Sequence, residues 1–166
     1  KIDQFDVYKS MLGLGVYKYS SQDFFQISLF RAMLISARVN KELDWMKDLI
    51  DNYSKELNPD FKETMKFYSL GQYYFAIGEN EKALESLIRV KSDYFLYKKD
   101  LKNLIFRIYY NLGYFEEAFT VLDNLKHYLT NTKDLSDKIK NVSMKFVKYA
   151  NQLLKLKTGN KNESPD

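Results

Sequence analysis

Apolar residues recur along most of this chain at a spacing of three and four, the period of a helix with one buried face. Phe24, Ile27, Phe30, Leu34 and Ala37 form the first clear stripe, with Asp23 expected in the first turn. Asn40 is expected to end that helix and cap the next, whose stripe runs Leu43, Met46, Leu49, Ile50, Tyr53 and Leu57. Asn58-Pro59 breaks the pattern, because proline drives the preceding residue out of the helical region. A long helix is predicted from Asp60 to Ile77 through Phe61, Met65, Tyr68 and Phe75, stopped by Gly78 in the left-handed conformation. Asn80 is expected to cap a helix carrying Ala83, Leu84, Leu87 and Val90. Ser92-Asp93 opens another through Leu101, Leu104, Ile105, Ile108 and Leu112, ended by Gly113. A helix from Phe115 to Leu129 follows, with Ala118, Val121, Leu122 and Leu125 on its apolar side. After the turn Thr130-Asn131-Thr132, the last stripe is Leu135, Ile139, Val142, Phe146, Tyr149, Leu153 and Leu156. With an N-terminal helix from Phe5 to Leu14, weakened at its end by Gly13 and Gly15, the total is about eight helices in four antiparallel pairs.

One phrase returns at a fixed interval. Leu70-Gly71-Gln72-Tyr73-Tyr74-Phe75-Ala76-Ile77-Gly78 and Ala83 are answered by Ile105-Phe106-Arg107-Ile108-Tyr109-Tyr110-Asn111-Leu112-Gly113 and Ala118, 113 − 78 = 35 residues later. A period of that size marks stacked helical units that bury their apolar faces against neighbours. The phrase resembles the tetratricopeptide repeat. Phe67, Leu70-Gly71, Tyr74, Gly78, Ala83 and Leu87 match its pattern in one unit. Ile105, Tyr109, Gly113, Phe115, Ala118 and Leu122 match it in the next. Phe30, Met33-Leu34, Ala37, Leu43, Met46 and Ile50 form a more divergent unit before them. Three positions depart from the pattern: Phe106 where a small glycine is expected, Asn80 where an aromatic is expected, and Met46 where alanine is expected. The run Leu43-Asp44-Trp45-Met46 with Tyr53, and the Tyr149-Ala150-Asn151 region, also resemble helical-repeat proteins of unassigned function common in Bacteroidetes bacteria.

The resemblance implies an all-α, right-handed superhelix of about four helical hairpins, a TPR-like α-solenoid. It would form a single domain over residues 1–157, with units at 27–57, 64–91 and 99–128, a capping helix at 132–156 and a loose polar tail at 158–166. It also implies a scaffold that binds a peptide or protein partner on a concave face. In the family's register the inward faces carry Arg31, Ile35 and Arg38, then Tyr68, Gln72 and Phe75, then Asn103, Arg107, Tyr110 and Asn111. Guanidinium and amide groups suit carboxylates and extended backbone, and aromatic faces suit side chains, so an acidic or carboxylate-ended peptide is the expected ligand.

Composition narrows the alternatives. The 166 residues include 6 Gly and 2 Pro, which favours long helices over short strands. There is no Cys, hence no disulfide and no thiolate metal site, and a reducing, cytoplasmic setting is compatible. No run of apolar residues is long enough to span a membrane. The chain opens on Lys1 rather than Met, Lys1 to Lys9 lacks the form of a signal peptide, and an upstream portion is expected. Residues 1–90 carry a net charge of −1 and residues 91–166 carry +5. The lysines are scattered, so nucleic-acid binding through the basic half is a weaker reading than a solvated surface. A self-associating structural module, a homo-oligomer joined by exposed aromatics, is the other alternative to a scaffold.

Catalytic chemistry finds no foothold. His127 is the sole histidine, with no second imidazole or thiol to complete a metal site. Gly13-Leu14-Gly15 lacks the third glycine and the preceding strand of a dinucleotide loop. Glu116-Glu117 sits in a first helical turn, where acids favour the helix dipole. No enzyme activity, cofactor or metal is expected.

Overall fold

In a computed structural model, residues 3–91 and 97–159 are described. They contain eight α-helices and no strand, only an isolated bridge between Phe25 and Leu57. The chain divides into two compact units, Lys1–Phe95 and Leu96–Asp166.

The first unit holds α1 (Gln4–Gly13), α2 (Ile27–Val39), α3 (Leu43–Asp48), α4 (Pro59–Ala76) and α5 (Asn80–Leu87). Asp3 caps α1 by accepting from the Phe5 N–H at 3.0 Å. Asn58 does the same for α4 through Asp60, with Pro59 preset for the first turn. Phe30, Met33, Leu34 and Ala37 of α2 are buried with Met46, Leu49, Ile50, Met65, Tyr68, Ala83 and Leu87. Phe5 of α1 meets Trp45 of α3 edge-on at 5.0 Å.

The second unit holds α6 (Lys98–Leu112), α7 (Phe115–Asn131) and α8 (Asp137–Lys157), with α7 packed between the other two in sequence. Phe106, Ala118, Leu122, Ala150 and Leu154 form one apolar cluster, and Leu125, Leu129 and Val147 a second.

The 35-residue repeat is expressed in matching turns. Glu79 N–H donates to Tyr74 O at 2.9 Å and Gly78 N–H to Phe75 O at 3.2 Å. Tyr114 N–H donates to Tyr109 O at 2.9 Å and Gly113 N–H to Tyr110 O at 3.3 Å. Gly78 and Gly113 have φ of +83° and +77°, so both turns are Schellman stops with glycine in the left-handed region. The same pair of bonds closes α2, where Glu42 N–H meets Ala37 O at 2.9 Å and Lys41 N–H meets Arg38 O at 3.2 Å. Lys41 takes a φ of 59° to do so. The divergent unit therefore shares the turn of the other two, with a lysine where they have glycine. Left-handed backbone costs a residue with a Cβ about 1–2 kcal/mol. Lys41→Gly should raise stability by about 0.5–1 kcal/mol, and an unchanged or lower urea midpoint would count against this turn.

Several local expectations need correction. α2 starts at Ile27, after Phe24, which is 53% exposed; Phe25 is buried instead, its N–H held by Glu56 O at 2.9 Å. Asp23 therefore lies outside the first turn. The stripe from Leu43 to Leu57 is not one α-helix: α3 widens into a π turn over Leu49–Tyr53 and tightens into a 3-10 turn over Ser54–Glu56. Leu49, Ile50 and Leu57 are buried across this change of pitch. Asn40 closes α2, but Glu42 stands at the start of α3. Glu79, not Asn80, occupies the cap of α5, and the Asn80 amide donates to Gly78 O at 3.2 Å. Ser92 and Asp93 lie outside the described residues, and α6 begins at Lys98. Thr158 closes α8 by bonding Leu154 O at 3.0 Å, and the tail from residue 160 also lies outside the described residues.

The last helix buries a face other than the one its sequence stripe suggested. Ser143, Val147, Ala150 and Leu154 are buried, while Ile139, Val142, Tyr149, Leu153 and Leu156 are 42–70% exposed. Small residues at 143 and 150 let α8 approach its neighbours closely, and the bulkier stripe turns outward.

Candidate functional site

The first unit gathers four of the expected site residues into a polar seam between α2 and α4. Arg31 and Arg38, seven residues apart, share a face of α2, and Tyr68 and Gln72, four apart, share a face of α4. Gln72 Nε2 donates to the Tyr68 hydroxyl at 2.8 Å. Burial raises the Tyr68 hydroxyl above its ordinary pKa; the charge of Arg31, hydrogen bonds from Gln72 and Arg31, and the charge of Arg38 pull the other way. Tyr68 and Gln72 are 0% and 3% exposed. The expectation that they line an open face is therefore corrected: they lie beneath the surface, with Tyr68 bonded to Arg31, and both arginines are half-buried. Gln72 Oε1 and Ser69 Oγ are buried without a hydrogen-bond partner among the described residues. Phe75, one turn beyond Gln72, is half-buried.

The other four belong to the second unit. Asn103, Arg107, Tyr110 and Asn111 follow one face of α6 at intervals of four, three and one. Arg107 and Asn111 are exposed, and Asn103 is half-buried, its Oδ1 without a partner among the described residues. Tyr110 leans on the rings of Phe115 at 6.0 Å and Phe106 at 6.3 Å, so its apolar body is committed to the core. Lys102 is depressed below the ordinary lysine range by burial and by the charge of Lys98.

A cleft of about 440 Å3 at the α1–α2 connection was not foreseen from the sequence. Tyr17, Tyr19 and Phe24 line it with Asp23. Its floor is tied to a distant residue: Tyr17 Oη donates to Glu56 Oε2 at 3.1 Å, and Lys18 Nζ lies 2.6 Å from the same oxygen. Tyr17 also packs on Phe25 at 4.8 Å and Tyr53 at 5.5 Å. Nothing in residues 14–26 signals this tie, because its acceptor stands 39 positions away.

Burial, the Glu56 hydrogen bond, and the charges of Glu56 and Tyr53 lift Tyr17 from the ordinary 10.0 to about 12. A phenol that ionises later in the folded state than in the unfolded state adds stability at pH values below 10.0, and that contribution disappears as pH rises through about 12. Phenolate absorbance should therefore show a late phase, above the ordinary tyrosine range, from Tyr17 and Tyr68. Glu56→Gln should return Tyr17 toward the ordinary range and leave Tyr68 late. An unaltered titration in that variant would remove the carboxylate as a cause.

Among the described residues no group of three or more His, Cys, Asp or Glu converges as a metal site would require. His127 is exposed, its Nε2 3.1 Å from Asn131 Nδ2. No helix among the described residues is long and apolar enough to cross a membrane. Comparison with known proteins gives no match to a family model, a curated protein or a solved structure.

Proposed function

We propose that this chain is a non-enzymatic protein-interaction scaffold of TPR-like hairpins, and that the arginine seam of its first unit receives an acidic or carboxylate-ended peptide. The right-handed superhelical arrangement belongs to this proposal, supported by the three turns closed alike at Lys41, Gly78 and Gly113. The observation that carries the binding role is the buried Tyr68–Gln72 pair beneath Arg31 and Arg38. A buried hydroxyl and amide are costly unless they hydrogen-bond. Here the Tyr68 hydroxyl bonds Arg31 and lies within the field of Arg38, and a guanidinium group is a planar fork of donors suited to carboxylates. Gln72 Oε1 and Ser69 Oγ are buried there with no hydrogen-bond partner among the described residues. Asn103 and Arg107 on α6 offer a second, separate polar face of similar chemistry.

The test is binding of an array of acidic and carboxylate-ended peptides to the intact chain. Arg38→Ala should weaken capture by roughly 1–3 kcal/mol, the range for a charge-assisted hydrogen bond. Tyr68→Phe should weaken it less, by loosening Arg31. Equal capture of the same peptides by wild type and Arg38→Ala would remove the seam from the function.

A further inference from the structure

α8 presents two apolar faces, of which its own unit covers one. The exposed face runs Ile139, Val142, Phe146, Tyr149, Leu153 and Leu156, at spacings of three, four, three, four and three. Val142, Tyr149 and Leu156 are 64%, 65% and 70% exposed, and Phe146 joins the seam to the interior by meeting Phe106 edge-on at 5.6 Å. Strict alternation of three and four is the heptad seam of a coiled coil, narrower than the broad face with which a helix covers a core or lies on a lipid surface. Lys138, Lys145 and Gln152 border the stripe on its outer side, and the buried Ser143 and Ala150 border it on the other.

The charges beside the seam identify its complement. Lys138, Lys145 and Lys148 are exposed along the side away from the buried face. Over Asp137–Lys157 six lysines face a single aspartate, for a net charge of +5. A second copy of α8 would bring like charge against like charge. A helix with acidic flanks would find its apolar seam and its carboxylates matched together.

We propose that the exposed seam of α8 is a docking site for an acidic amphipathic helix of a partner protein, paired as a two-stranded coiled coil. The site is independent of the arginine seam in the first unit. It also accounts for the large apolar side chains that α8 holds in water.

A labelled heptad peptide with Leu at a and d and Glu at e and g is the probe, since repulsion between its own flanks opposes self-pairing. Fluorescence anisotropy with the full chain should show saturable binding that weakens as salt is raised. Tyr149→Asp and Lys145→Glu should each weaken it by about tenfold or more, while Lys55→Glu in the first unit leaves it unchanged. Position 149 is exposed, and far-UV circular dichroism checks that the variant keeps its helices. The proposal is overturned if the Glu peptide fails to bind or if Tyr149→Asp binds it as well as wild type. Preference for vesicles of equal parts phosphatidylcholine and phosphatidylserine would overturn it in favour of a lipid surface. Concentration-dependent dimerisation lost in Tyr149→Asp would overturn it in favour of a second copy.

Discussion

Gly71→Leu should lower the stability of the first unit by about 3 kcal/mol, at the upper end of overpacking effects. Gly71 is buried on α4, and a Cβ placed there would stand 2.4 Å from Leu87 Cδ2, 2.5 Å from Leu87 Cγ and 3.4 Å from the Ala83 carbonyl oxygen. The side chain of Leu87 is only 1% exposed, so it moves aside only by displacing other packed groups. Ala83, at 0%, is the other small residue that lets α4 and α5 come this close. Gly71→Ala poses a sharper question, since alanine improves helix propensity by about 1 kcal/mol while its methyl group meets the same clash. The clash should win by a small margin. Leu87→Ala, costly alone, should cost less in the Gly71→Leu background, because the added side chain fills the space it vacates. Urea unfolding of the four proteins measures the cycle. A wild-type midpoint for Gly71→Leu would mean that α4 and α5 do not pack in this register.

The helices were legible where apolar spacing and punctuation agreed. Asn58-Pro59, Gly78 and Gly113 marked boundaries because each does something other residues cannot do cheaply: proline presets the first turn, and glycine accepts positive φ. Lys41 makes the same turn without the signature, so the kinship of the first unit's turn could not be read from residue type. The π turn at Leu49–Tyr53 was hidden for a related reason, since a stripe of Leu43, Met46, Leu49, Ile50, Tyr53 and Leu57 fits an ordinary helix as well as a widened one.

Which face a helix buries was harder to read than whether it is a helix. Hydropathy favoured Ile139, Val142, Tyr149 and Leu153 for the interior of α8, yet the neighbours accept Ser143, Val147, Ala150 and Leu154. Close approach selects small residues, and the proximity of a partner is not encoded in one helix's own pattern. The site was partly legible in the same sense. Arg31, Arg38, Tyr68 and Gln72 were expected on an open face, and Tyr68 and Gln72 are buried. Tyr68 is buried with a hydrogen bond from Gln72 on its own helix and one from Arg31 on α2, and the second is a pairing between elements that no local spacing reveals.

The second large effect is expected at Phe106, the position answering Gly71 after 35 residues. Repeat logic would favour a glycine there. The second unit argues the reverse. Phe106 is 4% exposed among Ala118, Leu122, Ala150 and Leu154, with its ring edge-on to Phe146 at 5.6 Å and 86°. Small residues on α7 and α8 leave a space that this ring fills, so the close approach given by glycine in one unit is replaced by a filled gap in the other. Phe106→Ala should cost about 3–5 kcal/mol through lost burial and the cavity left behind. Phe106→Gly should cost about 1 kcal/mol more through helix propensity. Because Ala150 and Leu154 lose their contact as well, hydrogen exchange should quicken along α8 as well as α6 and leave Pro59–Ala76 protected. If Phe106→Gly matched or exceeded wild type in stability, the repeat consensus would govern this position, and the packing of α8 on α6 described here would be wrong.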